Sequence, residues 1–243
     1  MRPSWLFLLL VAVTGASGAA LALGVGPAPV LAFLFVIAGW LVSLCLHEFA
    51  HAFVAYRYGD TSVVYRGYLT LDPLKYTHVV YSLVLPLVFV LIGGIGLPGG
   101  AVFIDRSALR TRFAHSAVSA AGPLTNIAIG ALLATAVAFA PGGYSEFWAA
   151  VAYLTFLQIT AAILNLLPVP GLDGFGILEP YLGRRALRFA ATYGQYAVFA
   201  LFLLLLIPPV NAAFFGAVFG LLQLLGVPPL LVSLGDQLFR FWL

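Results

Sequence analysis

The residues with the plainest chemical meaning stand in one run, His47-Glu48-Phe49-Ala50-His51. On a helix, side chains four apart share a face, so both imidazoles can point at one ion. Glu48 is offset by one position, close enough to reach a metal-held water without filling a coordination site. Two His ligands with a Glu as general base is the arrangement of zinc peptidases. Zinc takes the pKa of its water from about 15.7 to about 7. At about 1.36 kcal/mol per unit, deprotonation becomes on the order of 12 kcal/mol cheaper. Coincidence produces this spacing roughly once in a thousand sequences with so few His and Glu.

Two histidines leave a catalytic zinc site short of its usual third protein ligand. His78 and His115 lie near the ends of apolar segments, where interfacial roles are ordinary. Asp173 stands out among the acids. It follows a long apolar stretch in NLLPVPGLDGFG, where two prolines and three glycines must interrupt a helix and let a carboxylate turn inward. Asp60, Asp72 and Asp105 sit in polar loops and read as solvated.

The elements that carry these residues are set by composition. Of 243 residues, 63% are hydrophobic and 8% charged, against about 25% charged in soluble domains. Lipid must cover what polar side chains do not, so the chain is an integral membrane protein and a single domain over 1–243. Its one cysteine, Cys45, excludes an internal disulfide or a CxxC zinc site, and no basic stripe suggests nucleic acid.

Apolar spans are predicted over about 4–24, 30–57, 113–140, 147–167, 189–207 and 210–226, each near the roughly 20 residues a bilayer requires. The first resembles a signal peptide but reads as a retained span. Residues 79–97 are apolar but hold Pro86 and end in GGIGLPGG. They either cross fully or dip in and return, and the dip keeps Arg106, Arg110 and Arg112 on the favoured side. SVVYRGYLTL, 62–71, reads as one strand or a hairpin turning at Gly67. It is a candidate to receive an unwound substrate by edge pairing, or simply to cap the site. The tail, 227–243, reads as interfacial. The predicted fold is therefore an all-α polytopic membrane protein: six transmembrane helices, one re-entrant segment and a small β element near the site. Lysine and arginine accumulate on the cytoplasmic side, which predicts both termini and the site's opening there.

Three elements in order resemble the site-2 protease family of intramembrane zinc metallopeptidases: HEFAH in an early span, GPLTN (Gly122 to Asn126) in a middle one, and NLLPVPGLDG (Asn165 to Gly174). LTLDPLKYTHV also looks like the compact bacterial members, and together these cover about 30–180. Thr125 and Asp72 depart from the residues more usual at their positions. The resemblance implies one zinc per chain held by His47, His51 and Asp173, with Glu48 as base and Asn165 near the substrate. Asn126 is a further candidate to meet substrate or oxyanion. It implies peptide-bond hydrolysis in membrane-embedded protein or peptide substrates, with the bilayer as the other partner. Two rival readings are a proteolytically silent zinc-binding scaffold, against which Glu48 stands, and a transporter, against which the lack of a paired repeat stands.

Overall fold

Most of the long helices begin where the sequence supplies a cap or a proline. Ser4, Thr111 and Ser145 turn their hydroxyls onto the amides of Phe7, Ala114 and Trp148, three residues on, and Pro29 sits in the first turn of the second helix. The computed structural model describes residues 2–76, 102–140 and 145–242. Its helices are α1 (Trp5–Ala22), α2 (Ala28–Arg57), α3 (Ser62–Tyr65), α4 (Arg112–Ala138), α5 (Glu146–Asn165), α6 (Asp173–Leu178), α7 (Arg184–Leu205), α8 (Pro208–Leu224) and α9 (Pro229–Phe239). His78 and the stretch 79–97 lie outside the described residues.

Five of these helices, α1, α2, α4, α5 and α7, are long and apolar enough to cross a membrane, and α8 with α9 passes only as a pair bent by 115°. The protein is a multi-pass membrane protein. α5 is its axis: 83% of its apolar window is buried, against none of α7's. α2, α4 and α9 pack around it. Lipid offers no hydrophobic drive for helices to associate, so close backbone approach must supply it. A methyl added at Gly39 would lie 2.9 Å from Leu154, and one at Gly130 2.9 Å from Ile159. Those two glycines let α2 and α4 settle against α5.

The ends of the bundle are distinguishable. Asp60, just beyond α2, accepts from the amide of Asp105, just before α4, at 2.8 Å. The chain therefore leaves and re-enters the bundle at one end, which holds Arg57, Arg66, Lys75, Arg106, Arg110 and Arg112. The N-terminus lies there too, with the Ser4 amide donating to Thr70 O at 2.8 Å.

Two expectations are corrected. No strand occurs among the described residues: 62–65 are helical and 68–70 form a 3-10 turn. Gly67 (φ 75°) and Leu71 (φ 57°) take left-handed backbone that breaks any extended run. Local bonds such as Arg66 N to Ser62 O, at 3.1 Å, then satisfy the amides. The buried residues Val63, Tyr68 and Leu69 also lack a two-residue period. The second correction concerns the C-terminus, which does not join the N-terminus. Trp242 packs on Phe33, early in α2, with ring centroids 5.7 Å apart, and Gly235 lies against the Ala149 carbonyl early in α5. The physical reason is α7, whose last residue, Leu205, packs on Leu164 beside the site. α8 alone then carries the chain to the opposite end.

Candidate active site

α2 brings His47, Glu48 and His51 into the bundle at 5%, 2% and 6% exposure. The break after α5 brings in Asp173, the first residue of α6. Its two oxygens lie 3.3 Å from His47 Nε2 and 3.4 Å from His51 Nε2, and the two Nε2 atoms lie 3.0 Å apart. Ligand atoms about 2.0–2.1 Å from a tetrahedral zinc stand about 3.3–3.4 Å apart. With one Asp173 oxygen against each imidazole, the spacings suit donors gathered around one ion of zinc's size, and the residues fit the ion. Among the described residues these three are the one such cluster.

The histidine rings are oriented from behind. His51 Nδ1 donates to the Val118 carbonyl at 2.7 Å, and His47 Nδ1 to Asn126 Oδ1 at 2.5 Å. Each ring thus has its Nδ1 against an acceptor and turns its Nε2 toward Asp173, the direction a metal-binding imidazole requires. Both contacts come from α4, and the GPLTN run explains how. At Gly122 an added Cβ would collide with both Nε2 atoms, so only glycine lets the rings lie against this helix. Pro123, inside α4, has no amide to give the turn before it, and its ring crowds the Ser119 carbonyl. The adjoining carbonyl, Val118's, is the one that meets His51.

Glu48 lies beside the cluster, its Oε1 4.0 Å from His47 Nε2. Its Oε2 accepts from the amide of Val102 at 3.2 Å. A cavity of about 290 Å³ opens in front, lined by these residues together with Ile104, Leu172 and Asn165. Asn165 is 4% exposed, and its carboxamide has no hydrogen-bond partner among the described residues. Arg106 reaches from this wall to Glu179, tying it to the turn after α6. His115 lines the cavity but is not in the donor cluster.

Two residues stand differently from expectation. The carboxamide of Asn126 is turned onto His47 and Gln158 (2.8 Å) rather than toward the cavity. Asp60 is not solvated. At 1% exposure it accepts from Ser62 N at 2.9 Å and Asp105 N at 2.8 Å, fastening the loop after α2 to the cavity wall. Asp72 and Asp105 are local caps, accepting from the amides of Leu74 and Ser107. Sequence reading passed over Gln158 and Ser43, although a glutamine within an apolar span is itself a signal.

Fold and site together define a polytopic membrane protein with a cluster of two histidines and an aspartate that could hold a metal ion. Known proteins sharpen this. The chain is 47% identical over 247 aligned positions to "Putative zinc metalloprotease Rip2" of Mycolicibacterium smegmatis, covering 100% of this chain and 95% of that protein. The Mycobacterium tuberculosis (strain H37Rv) protein of the same name is 48% identical over 248 positions, with the same coverage. The like-named YwhC of Bacillus subtilis is 29% identical over 195 positions, 73% of this chain and 82% of that one. No family model matches the chain, and no solved structure matches it significantly. The chain belongs to the site-2 protease family of zinc metallopeptidases.

Proposed function

We propose that this protein is an intramembrane zinc endopeptidase that hydrolyses peptide bonds in or near transmembrane segments of membrane-anchored proteins. The observation that carries the reading is the cluster of two imidazoles 3.0 Å apart with the Asp173 oxygens 3.3 and 3.4 Å from them, facing a cavity beside a buried carboxylate. His47, His51 and Asp173 would hold one zinc. When bound, the ion supplies Lewis acidity, making water a nucleophile at neutral pH and polarising the scissile carbonyl. Glu48 takes the proton of the attacking water and later delivers it to the leaving amine. Asn165 lines the cavity and donates to the developing oxyanion. Asn126 serves better as the partner that orients His47 than as a substrate contact.

Orientation belongs to the same proposal. Arginine and lysine from 57 to 112 gather at the cavity end, and Arg240 lies at the other, so the cavity end faces the cytoplasm. The test is direct. Detergent-solubilised protein should bind about one zinc per chain and cut a fluorogenic helical substrate. Glu48→Gln should keep the zinc and lose about 10²- to 10⁴-fold in turnover, the usual worth of a general base. Turnover near wild type in that variant would refute the mechanism. Zinc binding without cleavage of any membrane substrate would favour a silent scaffold.

A further inference from the structure

Gln158 is completely buried in the middle of α5, and nothing in the chemistry above uses it. A carboxamide in an apolar membrane helix is costly unless every polar atom is bonded. This one is bonded at both ends. Its Nε2 donates to Ser43 Oγ at 2.7 Å, and its Oε1 accepts from Asn126 Nδ2 at 2.8 Å. Ser43 Oγ in turn donates to the carbonyl of Trp40 at 2.7 Å.

As the side chains are placed, the chain of contacts runs in one direction. The Ser43 hydroxyl has its proton on the Trp40 carbonyl, which can only accept, and so accepts from Gln158. Gln158 therefore presents its amide nitrogen to Ser43 and its oxygen to Asn126. Asn126 must then present its nitrogen to Gln158 and its oxygen to His47 Nδ1. Reversing either amide alone would set two donors, or two acceptors, face to face. With an acceptor fixed behind it, His47 Nδ1 carries the proton and Nε2 is bare. His51 reaches the same state directly, through the Val118 carbonyl. Each imidazole is thus keyed to a backbone carbonyl, one at first hand and the other through three side chains on α4, α5 and α2.

We propose that Gln158 and Ser43 are positioning residues of the metal site, fixing the tautomer and direction of His47 through Asn126. With Gln158 removed, Asn126 is free to rotate, and a proton on His47 Nε2 would point into the space between the three donors. This proposal rests on the zinc reading above and concerns only how well His47 is presented.

The experiment is a zinc titration against a competing chelator on the full-length protein in detergent. Wild type, Asn126→Leu, Gln158→Leu and the double variant are compared, together with the melting temperature of each metal-free protein. Outer partners of metal-bound histidines are worth about 10- to 100-fold in affinity, so each single variant should weaken zinc binding by that much. The double variant should be no weaker than Asn126→Leu alone, because both act on one linkage. Additive losses, or a lower melting temperature with unchanged zinc affinity, would make Gln158 a packing residue and overturn the proposal. If Gln158→Leu does not fold, Ser43→Ala reads the relay from its far end and should weaken zinc severalfold; unchanged affinity there overturns it too. A wild-type protein that binds no zinc would instead sink the metal reading itself.

Discussion

Gly122→Ala is a demanding test of the site, because it adds one methyl and alters no ligand. The new Cβ would lie 2.5 Å from His47 Cε1 and nearer still to both Nε2 atoms. Ordinary carbon contacts begin at about 3.5 Å, so a ring or the helix must move by about 1 Å. Ligand distances in a working site tolerate only about 0.2 Å, and a 1 Å misplacement costs about 10²-fold in rate. Against this stands the gain from replacing glycine in a helix, about 1 kcal/mol. That gain favours helix formation without relieving the collision, so α4 should remain formed while the site is spoiled. Zinc affinity, measured by chelator competition, should fall about 100-fold, and cleavage should fall with it, in a protein that remains monodisperse. Gly216→Ala is the matched control, since an added methyl there meets nothing within 4 Å, and it should leave both readouts unchanged. Wild-type zinc affinity in a well-folded Gly122→Ala protein would show that the histidine pair does not rest against this helix.

Other outcomes follow from the same geometry. Asp173→Ala should cost more zinc affinity than the about 10- to 100-fold of an outer partner. Asp173→Asn should fall between, as a neutral oxygen is a poorer zinc ligand, and Asp72→Ala should match wild type; full zinc retention by a folded Asp173→Ala protein would move the third ligand elsewhere. Asp60→Ala strands the amides of Ser62 and Asp105, at about 1–3 kcal/mol for each buried group left unpaired. Its melting temperature and activity should drop while zinc per chain holds, and unchanged thermal stability would contradict the burial of Asp60. Thiols introduced at Tyr58 and Ser107 should label from the same membrane face, and one at Ser145 from the opposite face. Ser107 labelling together with Ser145 would mean that residues 61–111 do not return to the end they leave.

What the sequence alone determined is whatever a short stretch of chain encodes. The long helices begin and end within a few residues of expectation, except that α7 begins at Arg184 rather than 189, because each is a local run of apolar residues closed by Ser, Thr, Pro or Gly. His47 and His51 share a face because one turn of one helix puts them there. Asp173 was legible as a candidate only because prolines and glycines break the apolar stretch around it. That it meets the histidines depends on α5 and the break behind it packing against α2, 122 residues after His51, and no local period carries that contact. The same holds where expectation failed. Residues 62–71 have the composition of a strand, but no strand pairs with them among the described residues, and Val63, Tyr68 and Leu69 instead find apolar partners at the end of α2. Asp60 reads as a loop acid until Asp105, 45 residues on, offers it an amide. Asn126 has two chemically opposite faces, and only the hydrogen-bond chain beginning at Trp40 decides which one meets His47. Long-range contacts settle such questions because a polar group buried in a membrane must take whatever partner the packed bundle supplies.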